Sequence, residues 1–158
     1  MVTNPIVRVL VIVLATAGGA GYAPVASGTV GSLVALPLVP WIARVRDGSW
    51  MAGIGIVVVI ALLAIWVAGR AEVVFGGADH SRIVIDEVAG MATAALFAPA
   101  SWTAACVVFV VFRIFDVVKP FPANVFDRRV SGGLGVVGDD LVAGAYAGIA
   151  TRVMLGLL

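Results

Sequence analysis

Residues 112–140, FRIFDVVKPFPANVFDRRVSGGLGVVGDD, gather four basic and four acidic side chains into 29 positions of a chain that is elsewhere almost wholly apolar. Asp116, Asp127, Asp139 and Asp140 fall in this stretch, and Asp86 and Glu87 stand side by side upstream. All six offer only carboxylate oxygens. That donor set suits a hard cation such as Mg2+ better than zinc, for which the chain supplies one histidine, His80, and one cysteine, Cys106. A cation of this kind activates water and polarises a phosphoryl oxygen. The bases complement it, because Arg113, Lys119, Arg128 and Arg129 suit a phosphate, arginine through planar bidentate contacts. The chemistry to which these residue types point is metal-assisted hydrolysis of a phosphate monoester.

Each pattern also has a plainer reading. Arg113 and Asp116 are three residues apart, as are Asp116 and Lys119, so an intrahelical ion-pair ladder is available. A helix N-terminus favours acids such as Asp86 and Glu87 through its dipole, and Asp139 and Asp140 head a segment that they could cap. GTVGS, Gly28–Ser32, opens a helix after Pro24. Its amides and hydroxyls suit an anion, while its small residues equally suit close helix packing in a membrane. His80, beside Asp79 in a loop, fits a proton shuttle or a solvated side chain alike. SGGLGVVG, Ser131–Gly138, reads as a mobile stretch that admits a bulky substrate before the paired aspartates.

Other phosphatase chemistries are excluded. A cysteine phosphatase needs its thiolate five residues before an arginine, and Cys106 lies seven before Arg113. No Asp-x-Asp-x-Thr/Val segment exists for an aspartyl-phosphate enzyme of the haloacid dehalogenase type, and one histidine cannot serve a two-histidine lipid phosphatase. The D-x-x-D-G-x-x-A-R run of CDP-alcohol phosphotransferases is missing as well. With a net charge of +1 and no run of Lys/Arg, nucleic acid is not an expected partner.

The frame for these side chains follows from composition. Hydrophobic residues make up 62% and charged residues 12% of the chain, and mean hydropathy is +1.15, against about 25% charged residues in a typical soluble domain. The expected fold is all-α, a polytopic membrane helical bundle with about four to six membrane helices, some short or re-entrant, in one domain over residues 1–158. Only Met51–Gly69 has the length of a spanning helix. Ile6–Ala20, Val30–Ala43, Val84–Ala98, Trp102–Val118 and Leu141–Leu158 are shorter apolar candidates, thin, tilted or packed against protein. GYAPVASGT, RVRDGS, GRAEVVFGGADHSR and APAS mark the breaks between them. Ile6–Ala17 has some look of a signal peptide but is followed by equally apolar chain, and is read as structural.

One break decides the geometry. A continuous helix from Val84 to Val118 would carry Arg113 roughly 40 Å from Asp86 at ~1.5 Å per residue. A fold-back at Pro99 brings Thr29, Asp86, Glu87, Arg113, Asp116, Lys119, Asp139 and Asp140 to one face, and the fold-back is the expectation. That face also collects Arg70, Arg82, Arg128 and Arg129, against Arg8, Arg44, Arg46 and Arg152 opposite, so the positive-inside bias places it in the cytoplasm. Trp41, Trp50 and Trp102 then fall near the far interface, and Trp66 on the charged side.

In chain order, GTVGSLVALPL (Gly28–Leu38), IVIDEVAGM (Ile83–Met91), FRIFDVVKPFP (Phe112–Pro122) and FDRRVSGGLGVVGDDLVAG (Phe126–Gly144) together resemble the phosphatidylglycerophosphatase A family. The resemblance implies a magnesium-dependent, multi-pass enzyme of the bacterial inner membrane. Its implied reaction is hydrolysis of the phospholipid phosphatidylglycerophosphate to phosphatidylglycerol and inorganic phosphate. By position it implies Asp86, Glu87, Asp116, Asp139 and Asp140 as catalytic and metal ligands. Arg113, Lys119 and Arg128, together with Thr29 and Ser32, which match the family's small polar pair, are the implied ligands of the substrate phosphate. Ala123 and Val137 depart from the family's usual bulkier aliphatic residue and methionine, as packing changes. Direct attack by water and an aspartyl-phosphate intermediate both fit. The rival reading is a small cation- or proton-coupled transporter using the same intramembrane acids; a structural membrane protein with buried ion pairs would show neither activity.

Overall fold

The structure is a computed structural model that describes residues 4–77 and 80–156, and every regular element among them is a helix. Asp79 and the side chain of Asp127 lie outside the described residues. α1 (Pro5–Ala15) starts where the Asn4 side chain accepts hydrogen bonds from the Ile6 and Val7 amides. A 3-10 turn, Ala17–Tyr22, leads to α2 (Ser27–Ala35) and α3 (Leu38–Gly48), which Pro37 separates. Then come α4 (Trp50–Phe75), α5 (Ile85–Ala94), α6 (Trp102–Val118), α7 (Ala123–Arg129) and α8 (Gly133–Met154). Three stretches are long and apolar enough to cross a membrane: Ser27–Gly48, α4 and α8. Shorter apolar helices fill in around them, as expected of a membrane helical bundle.

The fold-back is present. α5 stops at Ala94, the chain turns through the segment around Pro99, and α6 returns. α5 is only ten residues long, so its last carbonyls end inside the bundle and need donors. Arg46, from α3, is 2% exposed and donates from Nη1 to the carbonyls of Ala95, Leu96 and Ala98 at 3.0, 2.9 and 2.9 Å. Arg152, in the last turn of α8, donates to the Phe97 carbonyl at 2.5 Å. Two bases read from the sequence only as charges on the face opposite the site are therefore fixed parts of the fold.

Three segments differ from expectation. α4 continues past Gly69 through Arg70 and Glu72 to Phe75, because the first residue to leave helical backbone is Gly76, at φ 79°. RVRDG is the end of α3, not a loop. The glycine run before the paired aspartates is not a mobile stretch either, since Gly133–Gly138 forms the first turns of α8. A Cβ on Gly133 would overlap the Ile65 carbonyl of α4. The glycines serve contact between backbones, as small residues do where helices meet in a membrane. It follows that Asp139 and Asp140 sit in the second turn of α8 and do not cap it.

α8 packs against α4, α5, α6 and α7. It crosses α5 as closely as it does α4, for a Cβ on Gly144 would overlap the Gly90 carbonyl and a Cβ on Gly90 would overlap the Phe112 ring. Phe112, Met91, Val39, Ile42 and Val108 form the larger apolar core beside this crossing, and Val11, Val67, Ala71 and Val137 a smaller one against α1 and α4. Trp50 and Trp102 open α4 and α6 at the end of the bundle where Arg46 and Arg152 lie, both more than half exposed.

Candidate active site

Four helices end or begin around one cavity of about 520 Å3. α5 brings Asp86 and Glu87 in its first turn, where the positive end of the helix dipole offsets part of their charge. α6 ends there with Asp116 and the C-cap residue Lys119, whose backbone turns left-handed at φ 47°, while Arg113 lies outside the wall, against Asp116 and Glu87. α8 contributes Asp139 and Asp140, and α4 contributes Glu72 from its last turns. Ser27, Ser81 and Ser131 complete the polar wall.

The carboxylates are close and mostly out of water. Asp86, Glu87 and Asp140 each offer an oxygen within 4.8 Å of the others, and so do Asp116, Asp139 and Asp140. Asp140 belongs to both groups. It is 3% exposed, and Asp86, Glu87 and Asp139 are each no more than 8% exposed. Two like charges 4 Å apart repel by about 4 kcal/mol even at an effective dielectric of ~20, so the arrangement calls for positive charge. Part of it is built in: Arg113 Nη1 lies 2.7 Å from Asp116 Oδ2 and 3.7 Å from Glu87 Oε1, and Lys119 Nζ donates to Asp139 Oδ2 at 2.7 Å. Two bases do not neutralise five carboxylates. Asp86 Oδ1 and Glu87 Oε2 are buried with no hydrogen-bond partner, which for a carboxylate oxygen is costly unless a cation faces it. The all-oxygen donor set, two overlapping groups and orphaned oxygens fit one or two hard divalent cations, with Asp140 in the shared position.

The site explains which plain readings hold. The Arg113–Asp116 pair is an intrahelical ion pair of the ladder type, and Lys119 reaches across to Asp139 of α8. The GTVGS run packs: Ser32 is buried and its hydroxyl donates to the Gly28 carbonyl at 2.9 Å. Gly28 itself lies where a Cβ would overlap Glu87 Oε1. Ser32 and Thr29 are not in the cavity wall; the residue of α2 that is, Ser27, donates to the Ser81 carbonyl at 2.6 Å. Arg128, with Arg129, is exposed in the last turn of α7 outside the wall. His80 stacks on Phe75 at 5.1 Å and accepts at Nδ1 from the Arg82 amide.

Sequence reasoning missed Glu72. It sits two residues past Arg70 in a stretch that looks like a loop, and only the continuation of α4 to Phe75 turns it toward the cavity. The available signal was its place as the one acid in a 26-residue helix that is otherwise apolar but for Arg70.

Comparison with known proteins gives the family. The family model described as phosphatidylglycerophosphatase A matches residues 13–155. Phosphatidylglycerophosphatase A of Escherichia coli K12 is 35% identical over 141 residues, covering 85% of this chain and 77% of the relative. A putative phosphatidylinositol-3-phosphatase of Bacteroides thetaiotaomicron is 34% identical over 151 residues, covering 91% and 92%. Phosphatidylglycerophosphatase A of Haemophilus influenzae is 36% identical over 87 residues, covering 54% and 53%. No solved structure matches the chain significantly. A match spanning nearly all of the bundle, including every helix that lines the cavity, makes this chain a member of the phosphatidylglycerophosphatase A family.

Proposed function

We propose that the carboxylate cavity is the active site at which this chain hydrolyses the terminal phosphate monoester of phosphatidylglycerophosphate, with Mg2+ as cofactor and the cavity open to the cytoplasm. That the chain is a phosphoric monoester hydrolase of this lipid follows from its family; transport by the same acids has no observation in its favour. The observation that carries the site assignment is the meeting of Asp86, Glu87, Asp116, Asp139 and Asp140 from three helices beside Arg113 and Lys119.

When bound, Mg2+ supplies charge neutralisation on phosphoryl oxygens and lowers the pKa of water. The protein's residues do the rest. Asp86, Glu87 and Asp140 form one ligand set and Asp116, Asp139 and Asp140 the other. Arg113 and Lys119, held over the cavity by Asp116 and Asp139, stand ready to offset charge on the transferred phosphoryl group. Arg128, exposed in the last turn of α7, meets the headgroup before it enters. The lipid's acyl chains remain in the bilayer and limit how deep the phosphate goes.

The cytoplasmic orientation draws on the bases left over once the fold has used its own. Arg46 and Arg152 are bound to carbonyls at the far end, so the exposed Arg128 and Arg129 weigh on the cavity side. The inner membrane of a bacterium follows from the same reading.

Purified protein in detergent is assayed for phosphate released from phosphatidylglycerophosphate. Release that requires Mg2+ and stops with a chelator is expected. Full activity in both Asp116→Asn and Asp140→Asn removes the ring from the chemistry. An impermeant maleimide that labels Arg129→Cys, in a Cys106→Ser background, from the periplasmic side of intact cells reverses the orientation.

A further inference from the structure

α8 serves two cavities on adjoining sides. Gly135, Val136, Asp139 and Asp140 face the polar one, while Leu134, Leu141 and Val142 line an apolar groove of about 410 Å3 closed by Pro122, Phe126 and Tyr146. The two adjoin, since Gly138 lines the groove and its neighbour Asp139 the cavity. A Cβ on Gly138 would overlap the Phe126 ring, so α7 lies directly on α8 one residue from Asp139. The groove runs beside the carboxylates, from Leu134, about 8 Å before Asp139 along the helix at ~1.5 Å per residue, to Tyr146, about 9 Å beyond Asp140. Its far wall is stiff, because the Tyr146 hydroxyl donates to the Phe121 carbonyl at 2.8 Å and its ring packs on Phe115 at 5.6 Å. The volume lies within the ~300–1,000 Å3 typical of small-ligand sites.

We propose that this groove holds one acyl chain of the lipid whose phosphate enters the carboxylate cavity. The proposal rests on the function above: a lipid monoester anchored at the cavity must lay its chains along the bundle, and this groove is the apolar path on α8 beside the aspartates, extending about 9 Å past Asp140 to Tyr146. Filling it therefore weakens binding of long-chain substrate and spares substrates too short to reach it.

The test is Ala145→Phe, which places a ring inside the groove, assayed in detergent on dioleoyl and dihexanoyl phosphatidylglycerophosphate. KM for the dioleoyl lipid is expected to rise about tenfold, the scale on which apolar pockets discriminate by size, with the dihexanoyl lipid unaffected. Val34→Phe, in a separate apolar groove lined by Val13, Leu14 and Leu38, is the control and should change neither. Equal losses on both lipids with Ala145→Phe, or the same chain-length effect from Val34→Phe, overturn the proposal. A second readout is independent of turnover. Phosphatidylglycerol carrying a mid-chain diazirine should label α7 and α8 of the unaltered protein, and labelling spread evenly around the bundle overturns the proposal. If the unaltered protein releases no phosphate, the functional reading fails while labelling still decides the groove.

Discussion

Asp140 is the residue on which the site converges, since it alone belongs to both carboxylate groups. Asp140→Asn keeps the shape and removes the charge, so phosphate release is expected to fall by at least about 100-fold, beyond the ~10–100-fold typical of residues that only support a metal site. Steady-state kinetics across a Mg2+ titration checks this, and a rate that excess Mg2+ restores fully would reduce Asp140 to an affinity role. Lys119 has a different part. Lys119→Met leaves Asp139 without its 2.7 Å donor and the site with Arg113 but one base fewer, and should lower kcat roughly 100-fold, as loss of one charge-stabilising donor does elsewhere. The carboxylates were legible in the sequence because an acid in an apolar chain is expensive and stands out. Partner choice was not: Lys119 has Asp116 at helical spacing, yet its left-handed backbone turns it toward Asp139.

The elements hold the site through two kinds of joint. One is the α5–α8 crossing, where Gly90 and Gly144 allow backbone to meet backbone and set Asp86 beside Asp140. Gly144→Ala is expected to cost about 1–3 kcal/mol, as overpacking does, and to lower activity as well by moving the two carboxylates apart; denaturation in mixed micelles alongside the phosphate assay measures both. The other joint is Arg46, which closes the open end of α5 with three carbonyl contacts. Arg46→Leu should cost about 3 kcal/mol, since the bonds lost are charge-assisted and leave buried carbonyls unpaired, while the folded fraction keeps its kcat. Pro99 announced the fold-back plainly. The role of Arg46 did not show, because RVRDG reads as a polar loop until its helix is seen to bury one arginine and expose its neighbours.

At the scale of the whole molecule, the cavity draws charge from α4, α5, α6 and α8 into one electrostatic unit. A chain that folds around clustered carboxylates is strained by their repulsion and relieved by a divalent cation. Mg2+ at a hundredfold excess over its dissociation constant should therefore add about 2.7 kcal/mol of stability, read as a rise in Tm in detergent. Asp140→Asn should lose most of that rise, and an unchanged Tm with Mg2+ in the unaltered protein would remove metal binding from the account.

The sequence by itself determined the membrane class, the acids and bases, the fold-back and the family, because apolar content, isolated charges and proline act locally along the chain. Only the tertiary structure decided that the glycines before Asp139 are helical contacts, that Ser32 turns inward, that Glu72 joins the cavity and that Arg46 closes α5. Those outcomes depend on how closely one helix approaches another, and that distance is a property of packed pairs that no single segment carries.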